Sequence, residues 1–97
     1  MKIHELKTDK QPFSDAWDGA KSFEIREDDR GFQVGDTLLL RETYNSAEEM
    51  VKGAPLDYTG RELRLIVTHK LTGYGLLDGW CCMSVRVVLA YDTGNTP

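Results

Sequence analysis

The chain has 97 residues with 12 basic and 16 acidic side chains, a formal net charge of −4. That length fits one domain around one core, and 40% hydrophobic with 29% charged residues excludes wholesale disorder. The negative balance repels a phosphate backbone at long range and excludes non-specific wrapping of nucleic acid, but screening over about 8 Å leaves a specific pocket open.

Residues 2–7 alternate, with Ile3, Glu5 and Lys7 on one side and Lys2, His4 and Leu6 on the other, which predicts a first strand. From Pro12, which suits a first helical turn, Phe13, Ala16, Trp17 and Ala20 recur at helical spacing and give a short helix one apolar face. Gly19 is its natural stop, after which Phe23 and Ile25 alternate with Ser22, Glu24 and Arg26 as a strand. Residues 27–31 form a charged turn, and Val34-Gly35-Asp36 is a second turn leading into a strand over 37–43.

Between Asn45 and Asp57 the chain turns polar, an insertion in which Ser46 and Glu49 have the spacing of a capping box before a short helix. Residues 60–70 place Leu63, Leu65 and Val67 opposite Glu62, Arg64 and Thr68, a long half-buried strand. Gly73-Tyr74-Gly75 and Asp78-Gly79 bracket a loop, and Trp80 to Tyr91 is a last strand with Cys81, Met83, Val85, Val87 and Leu89 on one face. One domain over residues 1–91 and a frayed tail over 92–97 are expected. Five strands without alternating helical crossovers predict an α+β, mainly β fold, a small partly open β-barrel with one or two short helices.

The N-terminus lacks the apolar stretch of a secretory signal, and no window approaches 18 uninterrupted apolar residues, so a cytoplasmic protein without a membrane contact is expected. Adjacent Cys81 and Cys82 lie in an apolar run and read as two buried reduced thiols. His4 and His69 are isolated, and no third ligand has metal-site spacing; neither a metal nor a cofactor is expected.

The candidate site is polar. Lys21 offers a compact charge with three donors where helix meets strand, and a solvated turn lysine is its alternative. Ser22, Glu24 and Arg26 stand in a row about 7 Å apart at alternate positions, opposite Phe23 and Ile25, so that a ligand can span them. Arg26 offers a planar fork for phosphate, carboxylate or a stacked base; Glu24 accepts from a base amino group or neutralises Arg26. Asp36 reads as a turn residue that satisfies backbone donors. Tyr74 and Trp80 are either a stacking platform for a base or packing beside a barrel mouth.

The segment Gly19-Ala20-Lys21-Ser22-Phe23-Glu24-Ile25-Arg26, followed by Phe32-Gln33-Val34-Gly35-Asp36-Thr37-Leu38, resembles the signature of ASCH domains. With Lys2 to Lys7 and the loop into Trp80-Cys81-Cys82-Met83, it is similar to a compact ASCH-related family of unknown function common in phages and prophages, over residues 1 to about 90. The resemblance implies a PUA-like barrel and a role in RNA binding. One ASCH branch comprises acetylcytidine amidohydrolases, whose matching segment supplies a lysine and a threonine nucleophile; Lys21 matches the lysine, and Glu24 stands at the nucleophile position. The leading expectation is a monomeric module that recognises single-stranded or modified RNA, or a nucleotide, through Lys21, Glu24 and Arg26. The alternatives are a hydrolase of a modified nucleoside or small amide, with Lys21 and Glu24 catalytic, and a phage protein-interaction module.

Overall fold

A computed structural model describes residues 1–93. In chain order it contains β1 (Ile3–Thr8), α1 (Lys10–Trp17), β2 (Phe23–Glu27), β3 (Thr37–Thr43), α2 (Ala47–Val51), β4 (Tyr58–Leu71) and β5 (Trp80–Asp92). The alternation in β1 separates exposed Ile3, Glu5 and Lys7 from buried His4, Leu6 and Thr8. The strand runs one residue further than its pattern predicts, and this brings Thr8 into the inward row. In α1, Phe13 and Ala16 are buried and Trp17 packs against the core. Ala20 does not join that face: Gly19 turns the chain just past the helix at φ +82°, a left-handed conformation that favours glycine, and leaves Ala20 exposed.

All five strands form one sheet in the order β1-β3-β4-β5-β2. β1 runs parallel to β3, from Ile3 opposite Thr37 to Thr8 opposite Glu42, and the remaining neighbours are antiparallel. The sheet curls into a half-barrel, so the fold is α+β, mainly β, and partly open, with two short helices. Its core gathers Leu6, Leu38, Leu40, Leu63, Leu65, Val67, Cys81 and Met83 from the strands, Phe13 and Ala16 from α1, and Phe32 from the loop before β3. The outermost strands, β1 and β2, both come from the first third of the chain.

Two polar anchors shape the loop between β2 and β3. Asp28 accepts from the Phe32 amide at 3.0 Å and from Lys70 Nζ at 2.6 Å, and Lys70 also donates to the Phe32 carbonyl at 2.7 Å. Asp36 is buried and works as a turn residue should: it accepts from the Lys2 amide at 3.0 Å and the Gln33 amide at 3.0 Å. Its third partner was not legible, since His4 Nε2 donates to Asp36 Oδ2 at 2.8 Å while the imidazole edge packs on Phe32. The short α2 begins with the expected capping box, Ser46 and Glu49 each bonding the other's backbone amide.

The last strand departs from simple alternation. Cys81, Met83 and Val85 face the core, but Val87 and Leu89 are half-exposed. The β4–β5 register shifts between Arg64, opposite Leu89, and Leu65, opposite Val87, which inserts Val88 and breaks the period. β2 pairs with β5 only as far as Ser84, so the later residues also lack that neighbour's cover. Asp92, placed in a frayed tail by sequence, ends β5; residues 94–97 lie outside the described residues. Among the described residues no helix is long and apolar enough to cross a membrane.

Only one of the two thiols is buried. Cys81 faces the core and Cys82 the outer side of the sheet, because adjacent strand residues point to opposite faces. Burial pushes the Cys81 thiol up. In native protein, iodoacetamide should therefore modify Cys82 well before Cys81, and Cys81 should react fully only in denaturant, as followed by peptide mass spectrometry. Equal native rates would mean that β5 opens on the labelling timescale.

Candidate functional site

Strand β2 inverts the usual division of polar and apolar faces. Glu24 and Arg26 pair with the core residues Met83 and Cys81 and so point inward, while Phe23 and Ile25 pair with Ser84 and Cys82 and are exposed. A buried carboxylate is costly unless it is paired and hydrogen-bonded. Glu24, with a side chain only 3% exposed, meets that condition twice. Lys21 Nζ donates to Oε2, and Arg26 Nε donates to Oε1 at 3.1 Å. Lys21 is set in place by the helix end, where its amide donates to the Asp15 carbonyl at 3.0 Å, and its ammonium lies over the Phe23 ring.

Arg26 also reaches across the opening of the half-barrel. Its Nη2 donates to Thr8 Oγ1 at 3.2 Å and its Nη1 to the Lys7 carbonyl at 3.3 Å. Further along, Arg30 Nη1 donates to the Glu5 carbonyl at 2.8 Å. The two edge strands thus face each other without pairing, because the sheet order leaves β1 bonded to β3 and β2 to β5. Arginine side chains span the seam in place of a backbone ladder.

A hollow of about 400 Å³ opens at this seam, lined by Lys7 and Thr8 of β1, Asp9 just after it, Pro12 of α1, Lys21, residues 23–26, and Ala47 of α2. The connection between β3 and β4 therefore borders the site, and Asp9 Oδ1 fastens it there by accepting from the Ala47 amide at 3.0 Å. The arrangement presents one ammonium and one guanidinium held rigidly by a shared carboxylate, beside apolar walls. Such a constellation can grip an anionic or planar polar group, because its charges are already oriented and partly desolvated.

Of the residues singled out by sequence, Lys21, Glu24 and Arg26 come together in this hollow. Trp80 lines a neighbouring hollow of about 290 Å³ that shares Ile25 and Arg26 with the first. Ser22 does not join them: it precedes β2, is exposed, and uses its carbonyl to accept from the Val85 amide. Tyr74 sits in the 72–79 loop at φ +52° with 90% of its surface exposed, and lines neither hollow. Sequence reading missed Thr8, Lys7, Arg30 and Ala47. The inward alternation His4-Leu6-Thr8 was a usable signal for the first, whereas a contact from α2 requires the tertiary fold.

Among the described residues no group of three or more His, Cys, Asp or Glu side chains is placed to hold a metal ion. No curated protein matches the chain. A comparison with protein families matches residues 3–85 to a domain of unknown function (DUF3850), a span running from the start of β1 into the middle of β5. The match covers both edge strands, the seam and every residue lining its main hollow, and the chain therefore belongs to the DUF3850 family.

Proposed function

We propose that this protein is a cytoplasmic, ASCH-like module that binds single-stranded or modified RNA, or a nucleotide, in the hollow between β1 and β2. The observation that carries this reading is the convergence of Lys21, Glu24 and Arg26 on one concave, solvent-open site. Cations pre-set by a common carboxylate suit phosphate or the polar edge of a base, while Phe23, Ile25 and Pro12 supply apolar contact for its ring. Both oxygens of Glu24 are already engaged, which favours recognition over a general-base role needing a free lone pair towards substrate.

Titration of intrinsic fluorescence with short mixed-sequence RNAs and with free nucleosides at low salt tests the reading. Saturable binding that weakens with salt is expected, together with loss of at least tenfold in affinity in Lys21→Met/Glu24→Leu/Arg26→Met, a variant that removes the whole charge cluster. Absence of binding at low salt, or binding indifferent to that variant, would remove the proposal. Turnover of an acetylated nucleoside that drops in Glu24→Gln would instead favour the hydrolase.

A further inference from the structure

The seam holds a second cationic group whose position carries more than the hollow itself does. Arg26 is anchored on the Lys7 carbonyl and Arg30 on the Glu5 carbonyl, two positions on the free edge of one strand. Carbonyls two residues apart on a strand are about 7 Å apart, close to the repeat between neighbouring phosphates of an extended single strand. Each guanidinium has five N–H donors: Arg30 spends one on its carbonyl, whereas Arg26 spends three, on Glu24, the Lys7 carbonyl and Thr8, which fix the orientation of its fork. Among the described residues neither Arg30 nor Lys7 has a carboxylate within ion-pair distance, whereas Lys21 and Arg26 are compensated by Glu24. Along the seam Lys7, Lys21, Arg26 and Arg30 are matched in number by Asp9, Glu24, Glu27 and Asp29, so what it offers a ligand is two oriented guanidinium forks and not a net positive charge.

The concavity is also longer than one nucleotide. The main hollow continues past Arg26 into the one lined by Arg30 and Trp80. In the other direction it shares Lys7, Asp9 and Ala47 with a third hollow of about 400 Å³ walled by Met50 and Val51 of α2. The three hollows adjoin through these shared residues and form a trench beside Leu6, Lys7 and Thr8 of β1, with a partly exposed tryptophan at one end and apolar α2 side chains at the other. An indole face beside two guanidinium groups is a stacking platform for a base. Glu27 and Asp29, which line the Trp80 hollow together with Arg30, are acceptors suited to base amino groups and would repel a phosphate brought against them. An added peptide strand is disfavoured because the β1 carbonyls it would pair with, at Glu5 and Lys7, already accept from arginine.

We infer that the ligand of this site is a single-stranded oligonucleotide laid along the β1–β2 seam, with successive phosphates on Arg26 and Arg30 and a flanking base on Trp80. This rests on the nucleic-acid reading of the hollow and narrows it: the site takes at least three linked nucleotides, and a lone nucleoside or mononucleotide fills only part of it.

The test is a length series. Uridine monophosphate and mixed-sequence oligoribonucleotides of increasing length, from dimers to octamers, are titrated into the full chain at low salt. Affinity should climb steeply up to the trimer or tetramer and then level off, with a log–log salt slope near −1.4 for two phosphate contacts at about −0.7 each. Arg30→Ala should weaken the longer ligands about tenfold and reduce the slope by about 0.7, leaving mononucleotide binding unchanged. Trp80→Ala should weaken the trimer and octamer alike. Because the length dependence is read on unaltered protein, it decides the matter even if a variant folds poorly. Mononucleotide binding as tight as the octamer's, unmoved by Arg30→Ala, would overturn the trench and leave the single-nucleotide pocket standing; binding at no length would overturn both, and a peptide occupant would then be the one to pursue.

Discussion

Replacing Glu24 by alanine should destabilise the fold by about 3 kcal/mol, at the low end of the range for breaking a buried ion pair. The carboxylate is nearly inaccessible, while Lys21 and Arg26 keep 17% and 24% of their side-chain surface in solvent. Without Glu24 the two cations face each other across the hollow with only water to compensate them. For a chain this short the melting temperature should fall by roughly 15 °C, measurable by differential scanning calorimetry. The triple change Lys21→Met/Glu24→Leu/Arg26→Met should recover most of that loss, because removing every member of a buried ionic cluster leaves no stranded charge. If the single variant melted within 3 or so degrees of the parent, the cluster would be a solvated surface network and not a built site.

The second large effect is on acid stability, through Asp36. Hydrogen bonding from His4, the Lys2 amide and the Gln33 amide outweighs burial and lowers its carboxyl from 3.8 to about 2. A folded-state value below the unfolded one means that the unfolded chain binds the proton more readily as pH falls. The associated stability is thus fully present above about pH 4 and is lost as the pH falls through about 2, a change on the order of 2 kcal/mol. Asp28, held below its usual range chiefly by its bond from Lys70, adds in the same direction. Urea unfolding at a series of pH values between about 2 and 6 should show this slope, and Asp36→Asn should flatten it while costing stability at neutral pH. An unchanged slope in Asp36→Asn would mean that other carboxylates govern the acid limb.

Most of the architecture was legible because local signals agreed with one another. The β-rich run over 37–43, alternation in 60–70, the capping box at Ser46, and Gly19 after a helical run each rest on chemistry within a few residues, and each is found in the fold. The site was legible only in composition. The polar row of β2 was visible, but nothing local says whether it faces water or the barrel interior; that depends on pairing with Met83 and Cys81, some sixty residues later. The same dependence explains why Ser22 falls outside the row and why Val87 and Leu89 leave the core, since strand ends and bulges are set by partners and not by period. Arg30, lodged in a run of charges, gave no hint that it would reach the carbonyl of Glu5.

The strand order has one more implication, concerning time and not space. Everything that grips a ligand at the seam, save Trp80 and the contact from α2, is encoded before residue 31, yet the backbone of β2 pairs with the sheet through residues 80–84 of β5. A nascent chain emerging from the ribosome therefore carries Lys21, Glu24 and Arg26 long before it can house them, and the carboxylate stays hydrated until the closing strand arrives. Assembly of the recognition surface coincides with the last long-range pairing, the slowest kind of step for a fold of this topology. Occupancy by a ligand is in that sense a report that the five-stranded sheet is complete.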